Sequence, residues 1–146
     1  MSILCLDVGT KRIGIAKGDE LGLAAHPLTV VVRKNLKSDL RTIAELCLEH
    51  SVSLIVVGLP LDQESKIGDS AEKIVRFVDI MDKTLKEAGL EIEIKTWDER
   101  YSTAEAEEML IEADLSRARR REVIDKVAAS LILRDYMLHH PVKKKP

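Results

Sequence analysis

Apolar residues in the first quarter of the chain form short runs that are separated by turn residues. Residues 2–7 are apolar up to an acidic end, and residues 13–16 form a second short apolar run. Residues 9–12 between them have the composition of a hairpin turn, so we predict two antiparallel strands. Residues 24–32 are rich in β-branched side chains and predict a third antiparallel strand, with Pro27 near its beginning or at a sheet edge.

The middle of the chain alternates between helical and strand patterns. From Ser38 onward, apolar residues recur at helical intervals, and residues 53–57 then form a continuous apolar run that is typical of a buried strand. Ser70 can cap a second helix that Gly89 ends. Residues 92–94 alternate with charged neighbours and predict a further short strand.

Two more helices are predicted in the last third of the chain. Ser102 begins a capping-box sequence, which predicts a helix from about residue 103 to 113. The last helix is expected from about residue 119 to 139, with its core stripe formed by Ile124, Val127, Ala128, Leu131 and Leu138. Three strands, a helix, a strand, a helix, a strand and two helices predict an α/β fold with a mixed sheet flanked by helices.

Length and composition favour one cytoplasmic domain. The 146 residues are 45% hydrophobic and 33% charged, so we expect a single domain over residues 1–140 and a flexible basic tail over residues 141–146. Cys5 and Cys47 lie in apolar patterns and are interpreted as buried thiols. No signal peptide or membrane-spanning run is evident, so we expect a cytoplasmic location and no membrane partner.

Net charge restricts the way in which the chain could bind nucleic acid. A formal net charge of −2 argues against coating nucleic acid by bulk electrostatics, so any such contact requires a local basic patch. Arg119, Arg120 and Arg121 form one candidate patch, and the lysines of the tail form another. Either group could instead be a solvated surface.

Three acidic positions stand out because each lies where a carboxylate needs a partner. Asp7 ends an apolar strand, Glu99 lies just beyond another strand, and Asp125 lies in the last helix beside small alanines. Carboxylates brought together repel one another unless cations neutralise them, and hard oxygen ligands select Mg²⁺ or Mn²⁺. Two such ions would support phosphodiester hydrolysis.

Each acid also has an ordinary structural interpretation. Asp7 could cap a turn, Glu99 could pair with Arg100 on the surface, and Asp125 could be a favourable charge near a helix N-terminus. The sequence contains no phosphate-binding loop with a G-x-x-x-x-G-K-[ST] pattern, no G-x-S-x-G elbow and no Cys/His metal spacing.

Four sequence blocks resemble the YqgF family, and they cover essentially the whole chain in order. They are LDVGTKRIGIA at residues 6–16, VGLP at residues 57–60, DERYST at residues 98–103 and IDKVAA at residues 124–129. The resemblance implies a ribonuclease-H-like fold with a five-stranded sheet, three antiparallel N-terminal strands being followed by parallel strands. It also implies nuclease activity on Holliday junctions or at the 5′ end of pre-16S ribosomal RNA.

The resemblance assigns roles to individual residues. It implies that Asp7, Glu99 and Asp125 form the catalytic metal-binding set. Lys11, Arg12 and Arg100 would contact phosphate, although each could instead form surface pairs. Residues 62–68 read DQESKIG, whereas the family commonly has an asparagine and a glycine-rich turn there, so a role of this loop in substrate binding is in doubt.

Three functions are compatible with the sequence. The leading hypothesis is a metal-dependent endonuclease acting on structured RNA or branched DNA, for which a homodimer would suit a symmetric junction. The alternative is a non-catalytic module that binds RNA or a transcription or ribosome-assembly partner. A kinase-like phosphotransferase is a third hypothesis, disfavoured by size because such enzymes close two domains around ATP.

Overall fold

The computed structural model describes residues 2–18, 24–59, 69–98 and 117–139, without the side chains at 69–70, 98 and 117–126. The strands are β1 (Ser2–Val8), β2 (Arg12–Gly18), β3 (Ala25–Val32), β4 (Val52–Leu59) and β5 (Glu93–Asp98). The helices are α1 (Leu36–Glu49), α2 (Asp69–Glu87) and α3 (Arg117–His139). The helix predicted at 103–113 and the loop at 62–68 lie outside the described residues.

The five strands form one mixed sheet in the order β3-β2-β1-β4-β5. Strand β1 pairs antiparallel with β2, and β2 pairs antiparallel with β3. Strands β4 and β5 extend the sheet in parallel on the other side of β1. The predicted fold class is confirmed, and Pro27 lies in an edge strand, where a residue without an N–H is tolerated.

One face of the sheet packs against α1 and α2. Leu4, Leu6, Ile13 and Ile15 are fully buried in this core. Ile43 of α1 and Phe77 and Met81 of α2 belong to the same cluster. Large side chains therefore fill the space between the sheet and these two helices.

The opposite face packs against α3. Cys5, Ala16 and Val56 form a buried cluster with residues of that helix. The alternating positions of β2 on this face are Gly14, Ala16 and Gly18. A Cβ atom added at Gly18 would lie 3.2 Å from both Leu133 Cδ2 and Met137 Sδ. Small strand residues therefore let α3 approach the sheet closely.

The predicted core stripe of α3 is partly wrong. Ala128 and Leu131 are buried as expected, but Leu138 is 73% exposed. The helix instead buries Ala129, Ile132, Leu133, Tyr136 and Met137. Apolar residues occur on most sides of the segment from 127 to 133, so periodicity alone does not select the buried side, and contact with the sheet decides it.

The helix ends follow local capping chemistry. Helix α1 begins two residues before the predicted Ser38, because the side chain of Asn35 accepts a hydrogen bond of 2.8 Å from Ser38 N. Helix α2 begins at Asp69, so the predicted cap Ser70 lies inside it. Gly89 ends α2 as predicted: it adopts φ +78°, and Leu90 N donates to Leu85 O at 2.9 Å.

The two cysteines are buried and unpaired with each other, as expected. Desolvation by burial raises the pKa of the Cys47 thiol to about 11. Within the described residues, no helix combines the length and the apolar character needed to cross a membrane.

Candidate active site at the carboxyl edge of the sheet

Asp7 is the predicted site residue that the structure describes most fully. It lies near the end of β1, is half-buried and pairs with Gly14 of β2. Leu4, Leu6 and Val8 pack in the core on the α1 and α2 side. Strand alternation therefore puts the Asp7 side chain on the opposite face, which α3 covers.

A tight turn joins β1 to β2 directly after Val8. Gly9 N donates to Arg12 O at 2.9 Å, and a Cβ atom at Gly9 would lie only 2.8 Å from the same oxygen. Glycine is therefore required at this position. The turn carries the exposed Lys11 and the half-buried Arg12, so two predicted phosphate contacts lie within five residues of Asp7.

Parallel pairing brings the carboxyl ends of β1, β4 and β5 to one edge of the sheet. Leu6 pairs with Val57, Gly58 pairs with Trp97, and Leu59 pairs with Asp98. The ends of β1 and β5 are separated by β4 alone, about 10 Å at the usual strand spacing. Glu99 and Arg100 follow β5 directly in the sequence but lie outside the described residues.

Helix α3 carries the other predicted residues. The backbones of Asp125 and of Arg119, Arg120 and Arg121 lie in this helix, and their side chains are outside the described part of the chain. Ala129 is buried in one cluster with the sheet residues Cys5, Ala16 and Val56, whereas Ala128 is buried in a separate cluster with Leu131. Asp7 therefore belongs to a strand of the sheet, and Asp125 belongs to the helix that covers the face on which the Asp7 side chain lies.

Of the three predicted metal ligands, Asp7 lies among the described side chains. Among them, no group of three or more histidine, cysteine, aspartate or glutamate residues is arranged to hold a metal ion. Two of the three predicted ligands, Glu99 and Asp125, have no described side chain. The chemistry of the donor set fits Mg²⁺ or Mn²⁺, because all three are carboxylates.

An aromatic cluster beside this edge was not predicted from the sequence. Trp97 Nε1 donates to Asp135 Oδ2 at 2.7 Å, and the Trp97 ring lies edge-on to Tyr136 with centroids 5.6 Å apart. His139 lies 5.3 Å from Trp97 by ring centroids. Through these contacts the end of β5 packs against α3. The sequence signal for this cluster is the single tryptophan of the chain, since Asp135, Tyr136 and His139 are each 38 or more positions away from it.

Comparison with known families decides which family the chain represents. The family model described as RuvX, Holliday junction resolvase, matches residues 1–139. The chain belongs to this family. The predicted resemblance is confirmed, and with it the prediction that the protein is a nuclease-class enzyme.

Relatives of the RuvX family align over nearly the full length. A protein of Halothermothrix orenii named "Putative pre-16S rRNA nuclease" is 45% identical over 137 residues, 94% of each chain. A protein of the same name from Myxococcus xanthus is 46% identical over 140 residues, covering 96% of this chain and 89% of the relative.

Two resolvase structures resemble this chain in fold. The RuvC protein of T. thermophilus in complex with a Holliday junction substrate has a TM-score of 0.57 at 15% identity, covering 95% of both chains. The fowlpox virus resolvase in complex with Holliday junction DNA has a TM-score of 0.58 at 13% identity, covering 95% of this chain and 98% of that one. At such low identity these likenesses establish the fold of this RuvX-family chain.

Proposed function

We propose that the protein is a divalent-metal-dependent endonuclease whose catalytic carboxylates are Asp7, Glu99 and Asp125. The observation that carries this proposal is the position of Asp7, half-buried at the carboxyl edge of β1 on the face covered by α3. A carboxylate in such a place requires compensation by hydrogen bonds or cations. Membership of the RuvX family supports hydrolysis of phosphodiester bonds.

The geometry of β5 supports the inclusion of Glu99. Ile94 packs with the α1 and α2 core, whereas Trp97 packs with α3. An extended chain that continued this alternation beyond Asp98 would carry the Glu99 side chain on the α3 face, the face of Asp7.

The packing of α3 supports the inclusion of Asp125. Leu133 and Met137 lie at Gly18, and Asp125 precedes Leu133 by eight positions, about 12 Å along a helix axis. Along β2, Gly14 precedes Gly18 by about 13 Å. A helix that runs alongside β2 in the same direction would therefore bring Asp125 near Gly14 and its pairing partner Asp7.

The cationic residues have separate proposed roles. Lys11, Arg12 and Arg100 hold the phosphate that is cleaved, and Arg119, Arg120 and Arg121 hold flanking backbone phosphates. When bound, a pair of Mg²⁺ or Mn²⁺ ions supplies a water of lowered pKa and stabilises charge on the leaving oxygen. The products carry a 5′ phosphate and a 3′ hydroxyl.

The proposed substrate is structured RNA, with the 5′ end of pre-16S ribosomal RNA first and branched DNA second. The names of the two bacterial relatives support the RNA, and the junction-bound resolvases support the DNA. We propose a cytoplasmic protein with one domain over residues 1–140 and a flexible basic tail over 141–146. A homodimer would suit a symmetric junction.

Cleavage assays with an Asp7→Asn variant test this proposal. Labelled precursor RNA and junction DNA are incubated with the purified protein in Mg²⁺ or Mn²⁺, with and without chelator. We expect chelator to abolish cleavage and Asp7→Asn to slow it about 10³-fold, because the variant loses a negative ligand.

Asp82→Asn is the matched control. Asp82 lies on α2 and pairs with Lys86 at the surface, so its loss should leave the cleavage rate unchanged. Cleavage by Asp7→Asn at the parental rate would overturn the proposal. Tight RNA binding by the parent protein without any turnover would instead favour the non-catalytic binding module.

A further inference from the structure

Arg33 follows β3 directly and holds the turn between β1 and β2 at two points. Its backbone N–H donates to Lys11 O at 2.9 Å, and its Nη1 donates to Gly9 O at 2.9 Å. Both acceptors belong to the turn that carries Lys11 and Arg12. The position of this turn therefore depends on a residue outside the hairpin itself.

Arg33 also contacts α1 and α2, the two helices that cover the face of the sheet opposite α3. Its Nε lies 3.4 Å from Asp39 Oδ2 in the first turn of α1, and its guanidinium carbon lies 5.6 Å from the ring centroid of Phe77 in α2. Asp39 is only 2% exposed, and its Oδ1 accepts a hydrogen bond of 3.1 Å from Lys34 N. Both carboxylate oxygens of Asp39 thus have donors.

A buried carboxylate paired with an arginine is costly for stability alone. Desolvation of the buried Asp39 carboxylate offsets part of its attraction to Arg33, whose side chain is 27% exposed, so the pair adds little net stability. The pair is better explained by the conformation that it specifies. Arginine suits this task because its fork can reach Gly9 O and Asp39 with different nitrogens, which the single amine of lysine cannot do.

Asp7 and the turn after it are held by different interactions. Asp7 lies within the strand ladder. Leu6, Asp7 and Val8 all pair with β2, and Leu6 also pairs with β4 on the other side of β1. Residues 9–11 lie outside the strands, where the contacts of Arg33 replace the ladder. Loss of Arg33 should therefore displace Lys11 more than Asp7 or Arg12, which both lie within the strand ladder.

We propose that Arg33 and Asp39 are positioning residues that hold the β1–β2 turn so that Lys11 meets a phosphate of the substrate. This inference rests on the proposed function, in which the substrate is nucleic acid. It adds a role for two residues that do not touch the substrate. Arg33 and Asp39 therefore affect substrate binding, whereas the carboxylates determine the rate at which bound substrate is cleaved.

Arg33→Lys tests the proposal, since it keeps the charge and removes the fork. We expect KM for cleavage of precursor RNA to rise about tenfold with kcat little changed, the loss expected for a charge-assisted contact. The dissociation constant measured by fluorescence anisotropy in Ca²⁺ should rise by the same factor. Arg41→Lys, at an exposed arginine of α1, is the matched control and should change neither constant.

A double-mutant cycle shows whether Arg33 acts through the turn. Lys11→Met should itself raise KM, and Arg33→Lys should add much less in that background than alone, because the side chain it positions is already gone. Effects that multiply in full would show that Arg33 acts elsewhere, and the proposal would be overturned.

Two further variants separate positioning from loss of stability. Ile43→Val shortens a buried core residue of α1, so it should lower the melting temperature and leave KM unchanged. Asp39→Asn keeps the shape of Asp39 and should raise KM as Arg33→Lys does, which provides the test if Arg33→Lys does not fold. If both polar variants change only the melting temperature, the inference is wrong.

The outcomes for this inference and for the proposed function are distinguishable. A parent protein that cleaves, with an unchanged KM in Arg33→Lys and Asp39→Asn, overturns the inference alone. A parent that binds RNA without cleaving it, with weaker binding by the variants, supports the inference and overturns the hydrolytic function. A parent that neither binds nor cleaves overturns both.

Discussion

The two faces of the sheet are built from the same strands in different ways. The face toward α1 and α2 presents large aliphatic side chains, such as Leu6 and Ile15, which are fully buried. The face toward α3 presents Gly14, Ala16 and Gly18 along β2, and Cys5 followed by Asp7 along β1.

This difference assigns most of the fold's stability to the face toward α1 and α2, and the proposed catalytic carboxylate Asp7 to the face toward α3. Large side chains on the first face fill a core and remove apolar surface from water. Small residues on the second face bring α3 close to the sheet, and the same face ends in a carboxylate at its carboxyl edge. The first face should therefore be sensitive to truncation of side chains, and the second to their enlargement.

Truncation of Ile15 should give the largest loss of stability. Ile15→Ala leaves a cavity among fully buried neighbours, and we expect the free energy of unfolding to fall by about 2–5 kcal/mol. Ile15→Val should cost about 0.5–1.5 kcal/mol. Urea denaturation measures both values, and equal stability of the parent and Ile15→Ala would contradict the assignment of this face as the main core.

Enlargement of Gly18 should give a smaller loss. Gly18→Leu places a side chain against Leu133 and Met137, which already lie 3.2 Å from a Cβ at this position, and we expect a loss of about 1–3 kcal/mol. Met137→Ala in the Gly18→Leu background should restore part of this loss. An additive effect of the two substitutions in chemical denaturation would show that α3 does not pack here as described.

The Cys47 thiol should make stability fall at alkaline pH. Its pKa is raised to about 11 by burial, so between about pH 9 and 11 the unfolded chain releases a proton that the folded chain keeps. The free energy of unfolding should therefore fall with rising pH across this window, by at most about 1.4 kcal/mol per pH unit, and be unaffected below it. Cys47→Ala should show a smaller decrease. Parallel pH profiles of the two proteins would contradict this prediction.

The strands were predictable because their apolar runs are long and local. The continuous run at 53–57 lies inside β4, and the β-branched stretch at 24–32 covers β3. The buried face of α3 was not predictable in the same way, and the prediction that Leu138 is buried was wrong for that reason. Contacts with Gly18 and Ala16 decide that face, and they are distant in sequence.

The candidate site shows the same division between local and long-range information. Asp7 was predictable, because an acid at the end of an apolar strand is unusual in any sequence. The long-range contacts of the neighbouring elements were not predictable: Arg33 contacts Gly9 across 24 positions, and Trp97 contacts Asp135 across 38. Only Asp39 offered a local signal, as an acid beside the buried Leu40.

Anomalous diffraction from a crystal soaked with Mn²⁺ tests the central claim most directly. We expect a manganese peak within roughly 2.0–2.3 Å of an Asp7 carboxylate oxygen, with Glu99 and Asp125 oxygens completing the protein ligands, and no such peak in Asp7→Asn. A crystal in which these carboxylates lie apart and manganese binds elsewhere, or not at all, would contradict the claim that they form one metal-binding site.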